Sequence, residues 1–145
     1  MRVPFRRLCA EAKEPARAHA GDAGYDLRSV EEVSLPPGGR ALVRTGISLA
    51  IPRGYAGLVL PRSGLAMSRG VAPVNTPGLI DSGYRGEVMV PLINHDPGET
   101  FRVESGMRVA QLVFVRAEDA TFAEVEVLEA GADGRGERGF GSSGS

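Results

Sequence analysis

The chain has 145 residues, enough for one domain with a real but modest core and too few for two. Its 42% hydrophobic and 24% charged content is ordinary for a soluble protein, and a formal net charge of -1 argues against a broad nucleic-acid or membrane surface, so any bound anion must meet a local site. Cys9 alone cannot form an internal disulfide, and His19 and His95 are too few and too far apart for a Cys/His metal cluster.

The opening MRVPFRRLCAEAKEPARA carries charges where a signal peptide needs an apolar stretch, and no run approaches a bilayer span. The expectation is a cytoplasmic protein. From there the chain reads as short alternating runs. RVPFRRL places Val3 and Phe5 on one face, and ISLAIP does the same for Ile47, Leu49 and Ile51. YAGLVLP, GEVMVPLIN, TFRVES, RVAQLVFVRA and FAEVEVLEA continue the series, the last setting Val125 and Val127 opposite Glu124 and Glu126. LPPGGR, PRGY and HDPGE supply turns between them. The one helix-like stretch is SGLAMSRG, with Ser63 as the expected cap and Gly70 as the stop. No dozen residues carry a 3.6-residue apolar period, so a parallel sheet flanked by long helices is unsupported. The expected class is all-β, a jelly roll or distorted sandwich.

Several segments carry polar groups that such a frame does not need. In AGYDL, Asp26 stands between aromatic and aliphatic neighbours, as a turn or salt-bridge acid often does. PRSGLA combines the Arg62 fork, the Ser63 hydroxyl and the backbone amides of a helical turn, a set that suits phosphate oxygens and also describes an ordinary capped helix. NTPGLIDSGYRGE reads as a hairpin whose backbone groups can meet a planar base edge, with Asp81 as a general base and Tyr84 as a flat wall; a plain β-turn accounts for the same residues. GMRVAQLVF sets Gln111 in an apolar strand, where its amide needs a partner of some kind. The tail contains GRGERG, Gly134 to Gly139, which fits the dinucleotide pattern GxGxxG but lacks the strand before it and the helix after it.

Taken together and in order, AGYDL, PRSGLA, GLIDSGYRGE, GMRVAQL and RGERGFGSSG resemble the five motifs of the trimeric dUTPase family (deoxyuridine triphosphate nucleotidohydrolases), across nearly the whole chain. The resemblance implies a distorted jelly-roll, β-clip-like subunit over residues 1–130. A flexible glycine-rich arm over 131–145 would then close an active site shared between the subunits of a homotrimer. It also implies Mg²⁺-assisted hydrolysis of dUTP to dUMP and pyrophosphate, which keeps uracil out of DNA and supplies dUMP for dTMP synthesis. On that pattern Asp81 activates the water that attacks the α-phosphorus. Tyr84 packs under deoxyribose and excludes a 2′-hydroxyl. Asn75, with backbone groups at Gly78 and Ile80, pairs with uracil, and Phe140 stacks on it. Arg62, Ser63, Gly64 and Gln111 contact phosphates, as do Arg135, Gly141 and Ser142 of the arm, while Asp26 belongs to the water shell of the metal.

Two positions depart from the commonest family pattern: Gly83, where an acid often stands, and Met107, where aspartate often precedes the arginine of the fourth motif. Arg85 and Arg108 are accordingly structural or interface candidates. Two other readings compete. The related dCTP deaminases share the fold and a similar third motif, which admits a deaminase or a bifunctional enzyme. A silent, dUTPase-like binding module is the other. Tyr84, the Arg135 to Ser142 arm and the motif spacing oppose the first, and the presence of Asp81, Tyr84 and the fifth motif opposes the second.

Overall fold

The computed structural model describes residues 1–129, and the arm expected over 131–145 lies outside them. Ten strands and one short helix follow in chain order: β1 (Phe5–Arg7), β2 (Tyr25–Arg28), β3 (Val33–Leu35), β4 (Arg40–Leu49), β5 (Tyr55–Leu60), α1 (Ser63–Arg69), β6 (Val71–Pro73), β7 (Gly78–Ile80), β8 (Glu87–Asn94), β9 (Phe101–Val103) and β10 (Arg108–Arg116). They form two four-stranded sheets, ordered β1-β4-β8-β6 and β2-β10-β5-β7, and a two-stranded sheet β3-β9. Every ladder between them is antiparallel. Consecutive strands are never ladder partners among the described residues, because each connection carries the chain to another sheet. This is the all-β, jelly-roll-like architecture that the alternating runs imply.

The core forms where the alternating faces of the two large sheets meet. β8 turns Val88, Val90 and Leu92 inward and Met89 outward. β4 contributes Val43, Ile47 and Leu49, and the second sheet answers with Leu27, Val59 and Leu112 in the same cluster. Each such side chain contributes roughly 1.5–3 kcal/mol by leaving water, and the period of two decides which ones do so. Asn94, at the inner end of β8, is wholly buried and fully bonded. Its Nδ2 donates to the carbonyls of Leu35 (2.9 Å) and Glu99 (2.8 Å), and its Oδ1 accepts from the Asp96 amide (2.9 Å), tying the small sheet and its turn to the large one. No described helix is long and apolar enough to cross a membrane.

Three local expectations are corrected. The segment from Asn75 to Glu87 is not a two-stranded hairpin: β7 pairs with β5, β8 pairs with β4 and β6, and residues 81–86 cross between sheets. FAEVEVLEA forms no strand within residues 122–129, and Phe122, Val127 and Leu128 are 97%, 81% and 84% exposed. Alternation marks a segment able to pair; no ladder among the described residues takes it up. Helix α1 spans the expected residues and stops at left-handed Gly70, but its cap is Arg62, in extended conformation and without a side-chain capping bond. The guanidinium of Arg62 is engaged instead by the Asp26 carboxylate and the Arg108 carbonyl.

Candidate active site

Asp26 and Gln111 face each other across the β2–β10 ladder, and Gln111 faces Leu60 across β10–β5, so all three point to the same face of the second sheet. This is the outer face, since the intervening Leu27, Leu112 and Val59 point into the core. The Asp26 carboxylate lies 3.3 Å (Oδ1) from Arg62 Nε and 3.1 Å (Oδ2) from Arg108 Nη1. A further bond runs from Arg62 Nη1 to the Arg108 carbonyl, 3.1 Å. Gln111 Nε2 donates to the Pro61 carbonyl at 2.9 Å, so its half-buried amide has the partner it requires. Side chains from strands β2 and β10 and from the β5–α1 junction are thereby locked around a cavity of about 450 Å³ that also reaches Ser63 and Gly64. Five of the residues expected at phosphates or metal are together here: Asp26, Arg62, Ser63, Gly64 and Gln111. A Cβ on Gly64 would meet nothing within 4 Å, which leaves its backbone open to an approaching group.

The second group gathers where β7 leaves its sheet. Asn75, Gly78, Ile80, Asp81 and Tyr84 line one cavity of about 300 Å³, at the small end for a ligand site. Among the described residues β7 is an edge strand, so a row of its backbone donors and acceptors has no ladder partner there. Asn75 packs directly over it, its Nδ2 lying 3.3 Å from where a Cβ of Gly78 would stand. The Asp81 carbonyl accepts the Tyr84 amide (3.1 Å), which closes a turn that carries both residues, each exposed, to the same cavity. Arg85 staples that turn by donating to the carbonyls of Ser82 and Tyr84, both at 2.7 Å, and so has a structural part. The Tyr84 hydroxyl donates to the Glu87 carbonyl, 2.9 Å.

One protomer does not bring the two groups together. Asp26 lies on β2 and Gly78 to Ile80 on β7, the two opposite edges of one four-stranded sheet. Three interstrand spacings, about 14 Å, separate such edges. The ladder pairs put Val59, Gly78 and Ile80 on the core-facing side and Asp26 and Gln111 on the outer side. Arg135, Phe140, Gly141 and Ser142 lie outside the described residues.

Sequence reasoning left Arg108 undecided and did not single out Gly24, Gly86 or Glu87. Arg108 belongs to the first group through Asp26. Gly24 is there because the Gln111 side chain occupies the space a Cβ would need, and Gly86 because the Tyr84 ring does. The signal was present as the glycines of AGYDL and YRGE, each one or two positions from a functional side chain. Among the described residues no three His, Cys, Asp or Glu side chains are grouped to hold a metal ion. Asp26 is a hard oxygen donor that lines the cavity, which fits an ion held mostly by phosphate oxygens and water.

Comparisons with known proteins agree on one family. The dUTPase family model matches residues 10–144. A deoxyuridine 5'-triphosphate nucleotidohydrolase from Thermobifida fusca is 52% identical over 144 residues, covering 99% of this chain and 79% of the relative. One from Mycobacterium marinum is 57% identical over 133 residues, covering 90% and 86%. Among solved structures, the dUTPase of Staphylococcus bacteriophage 80alpha with dUpNHpp superposes with a TM-score of 0.91 at 33% identity, covering 99% of both chains. A mutant dUTPase from phage phi11 of S. aureus, described for its coordination of a structural Mg(II) ion, gives 0.81 at 29% identity over 88% of this chain and 98% of that one. With the family model matched over almost its whole length and relatives more than half identical across it, the chain belongs to the dUTPase family.

Proposed function

We propose that the protein hydrolyses dUTP to dUMP and pyrophosphate at sites completed between copies of the chain in a homotrimer. The observation that carries this reading is the division of the motif residues into two half-sites on opposite faces and edges of one sheet. One half offers backbone edge groups, an amide, an aromatic wall and a free carboxylate, which suit a nucleoside and an attacking water. The other offers arginine forks and an amide, which suit phosphates. A second copy bringing its nucleoside half to the phosphate half of the first supplies both.

Asp81 takes a proton from a water as the water oxygen bonds to the α-phosphorus and the bond to the bridging oxygen breaks, releasing pyrophosphate. Asn75 and the edge of β7 present donors and acceptors that uracil satisfies and cytosine leaves unpaired. Tyr84 stands against the sugar face, where a 2′-hydroxyl would have no room. Arg62, Ser63, Gly64 and Gln111 hold the triphosphate. Asp26 keeps Arg62 and Arg108 in fixed orientation, which preorganises the forks before substrate arrives. The two arginines and the two aspartates lining this cavity balance in charge, so a polyanion needs further cations. Mg²⁺, held by phosphate oxygens and water with Asp26 in its outer shell, would neutralise phosphate charge, and Arg135 of the arm would add to it. Arg135, Gly141 and Ser142 on phosphate and Phe140 on the base complete the set expected of the arm.

Pyrophosphate release with Mg²⁺ from dUTP, set beside dCTP, dTTP and UTP, tests the reading. The expected result is turnover of dUTP with the other three far behind. Ammonia from dCTP with no pyrophosphate from dUTP would replace it with a deaminase.

A further inference from the structure

We propose that Glu87 is a positioning residue for sugar selection, holding the Tyr84 ring in place from an irregularity in the neighbouring strand. The inference rests on the reading of Tyr84 as the wall against the sugar. It starts in β4, where the ladder with β8 slips: Arg44 faces Met89 and Ser48 faces Glu87, so Thr45, Gly46 and Ile47 stand opposite Val88 alone. Gly46 has φ +68°, and a Cβ there would lie 2.8 Å from Cys9 Sγ and 2.9 Å from Ala12 Cβ, so neither the conformation nor the space admits another residue.

The bulge removes Gly46 from the regular ladder, and the Glu87 carboxylate stands in for a ladder carbonyl as acceptor of the Gly46 amide. Oε1 receives the Gly46 amide at 2.8 Å and Oε2 receives Arg44 Nε at 3.1 Å, with the Glu87 side chain only 14% exposed. Thr45 Oγ1 donates to the Val88 carbonyl, and Glu31 fixes the bulge from the other side by accepting the Arg44 amide at 2.8 Å. The first two residues of β8 are therefore pinned to β4 by side chains. The Glu87 carbonyl, held by this clamp, is the acceptor for the Tyr84 hydroxyl. Gly86 lets the ring lie flat on the chain between them: a Cβ there would stand 2.6 Å from Tyr84 Cζ. The order of action is bulge, carboxylate, carbonyl, hydroxyl, ring.

The test is the ratio of kcat/KM for dUTP to that for UTP, measured together with the thermal midpoint. Glu87→Ala should lower the ratio about tenfold, with most of the change for dUTP in KM rather than kcat. Glu87→Gln, which keeps an acceptor for the Gly46 amide, should lower it only about threefold, and it carries the test should Glu87→Ala fail to fold. Tyr84→Phe removes the tether from the other end, so adding Glu87→Gln to it should cause no further fall. A lowered midpoint with an unchanged ratio in both Glu87 variants would overturn the inference, as would multiplicative losses in the combined variant. Tyr84→Ala separates the two layers. If it destroys discrimination while both Glu87 variants retain it, the positioning role alone falls; if it too leaves discrimination intact, the sugar-wall reading falls and takes the inference with it.

Discussion

At the scale of single residues, the two motif aspartates have different surroundings. Asp26 is held by two guanidinium groups, whereas Asp81 stands exposed at the end of β7 beside Tyr84. Asp81→Asn should lower kcat by about 10³-fold or more while a non-hydrolysable dUTP analogue still binds with near-normal affinity, because the base is removed and the cavity is kept. Parallel turnover and calorimetric titration check both halves. Asp96 bears on stability instead. Backbone amides of Glu99 and then Gly98 hold its carboxyl below the ordinary aspartate value. A depressed folded value means that the contribution is present above the unfolded pKa and is lost as the pH falls through the folded one. The acid limb of the thermal midpoint, followed downward from about pH 4, should be shallower in Asp96→Ala than in the parent. The sequence singled out both aspartates by motif. The arginine partners of Asp26 were not legible, because they sit 36 and 82 positions away and meet it only through the ladders of β5 and β10.

Among the elements, alternation located strands well and said nothing about their partners. β5, β8 and β10 were visible as runs of inward apolar residues, yet the chain changes sheet at every connection, a pattern that no local period encodes. This is why the third motif looked like a hairpin. Its proximity to the ends of two strands was legible; that those strands belong to different sheets was not. Asn94 is the clearest case of an element held by a polar side chain. Asn94→Leu would strand the carbonyls of Leu35 and Glu99 and the amide of Asp96. Chemical denaturation should show a loss of about 3 kcal/mol with the fold retained.

Across the whole molecule, the described protomer leaves much apolar surface uncovered: Met67 is 91% exposed, Leu79 64% and Phe122 97%. Neighbouring copies in the proposed homotrimer would have such side chains to cover. The fifth motif belongs to this scale as well, since its proposed contacts are with a site made by other parts of the assembly. Deleting residues 133–145 should leave the assembly folded, as judged by light scattering and thermal midpoint, and lower kcat/KM for dUTP by about 100-fold or more.

On the proposed reading, nucleoside and phosphate halves from different protomers make one site. Mixing two separately crippled variants, Asp81→Asn and Arg62→Ala, after unfolding and refolding them together, measures this most directly. Each variant keeps intact the half that the other has lost. The expected result is recovery of dUTP hydrolysis in the mixture, approaching about a quarter of wild-type sites at equal proportions of randomly assembled protomers. Activity no greater than the mean of the two variants refolded alone would contradict the account.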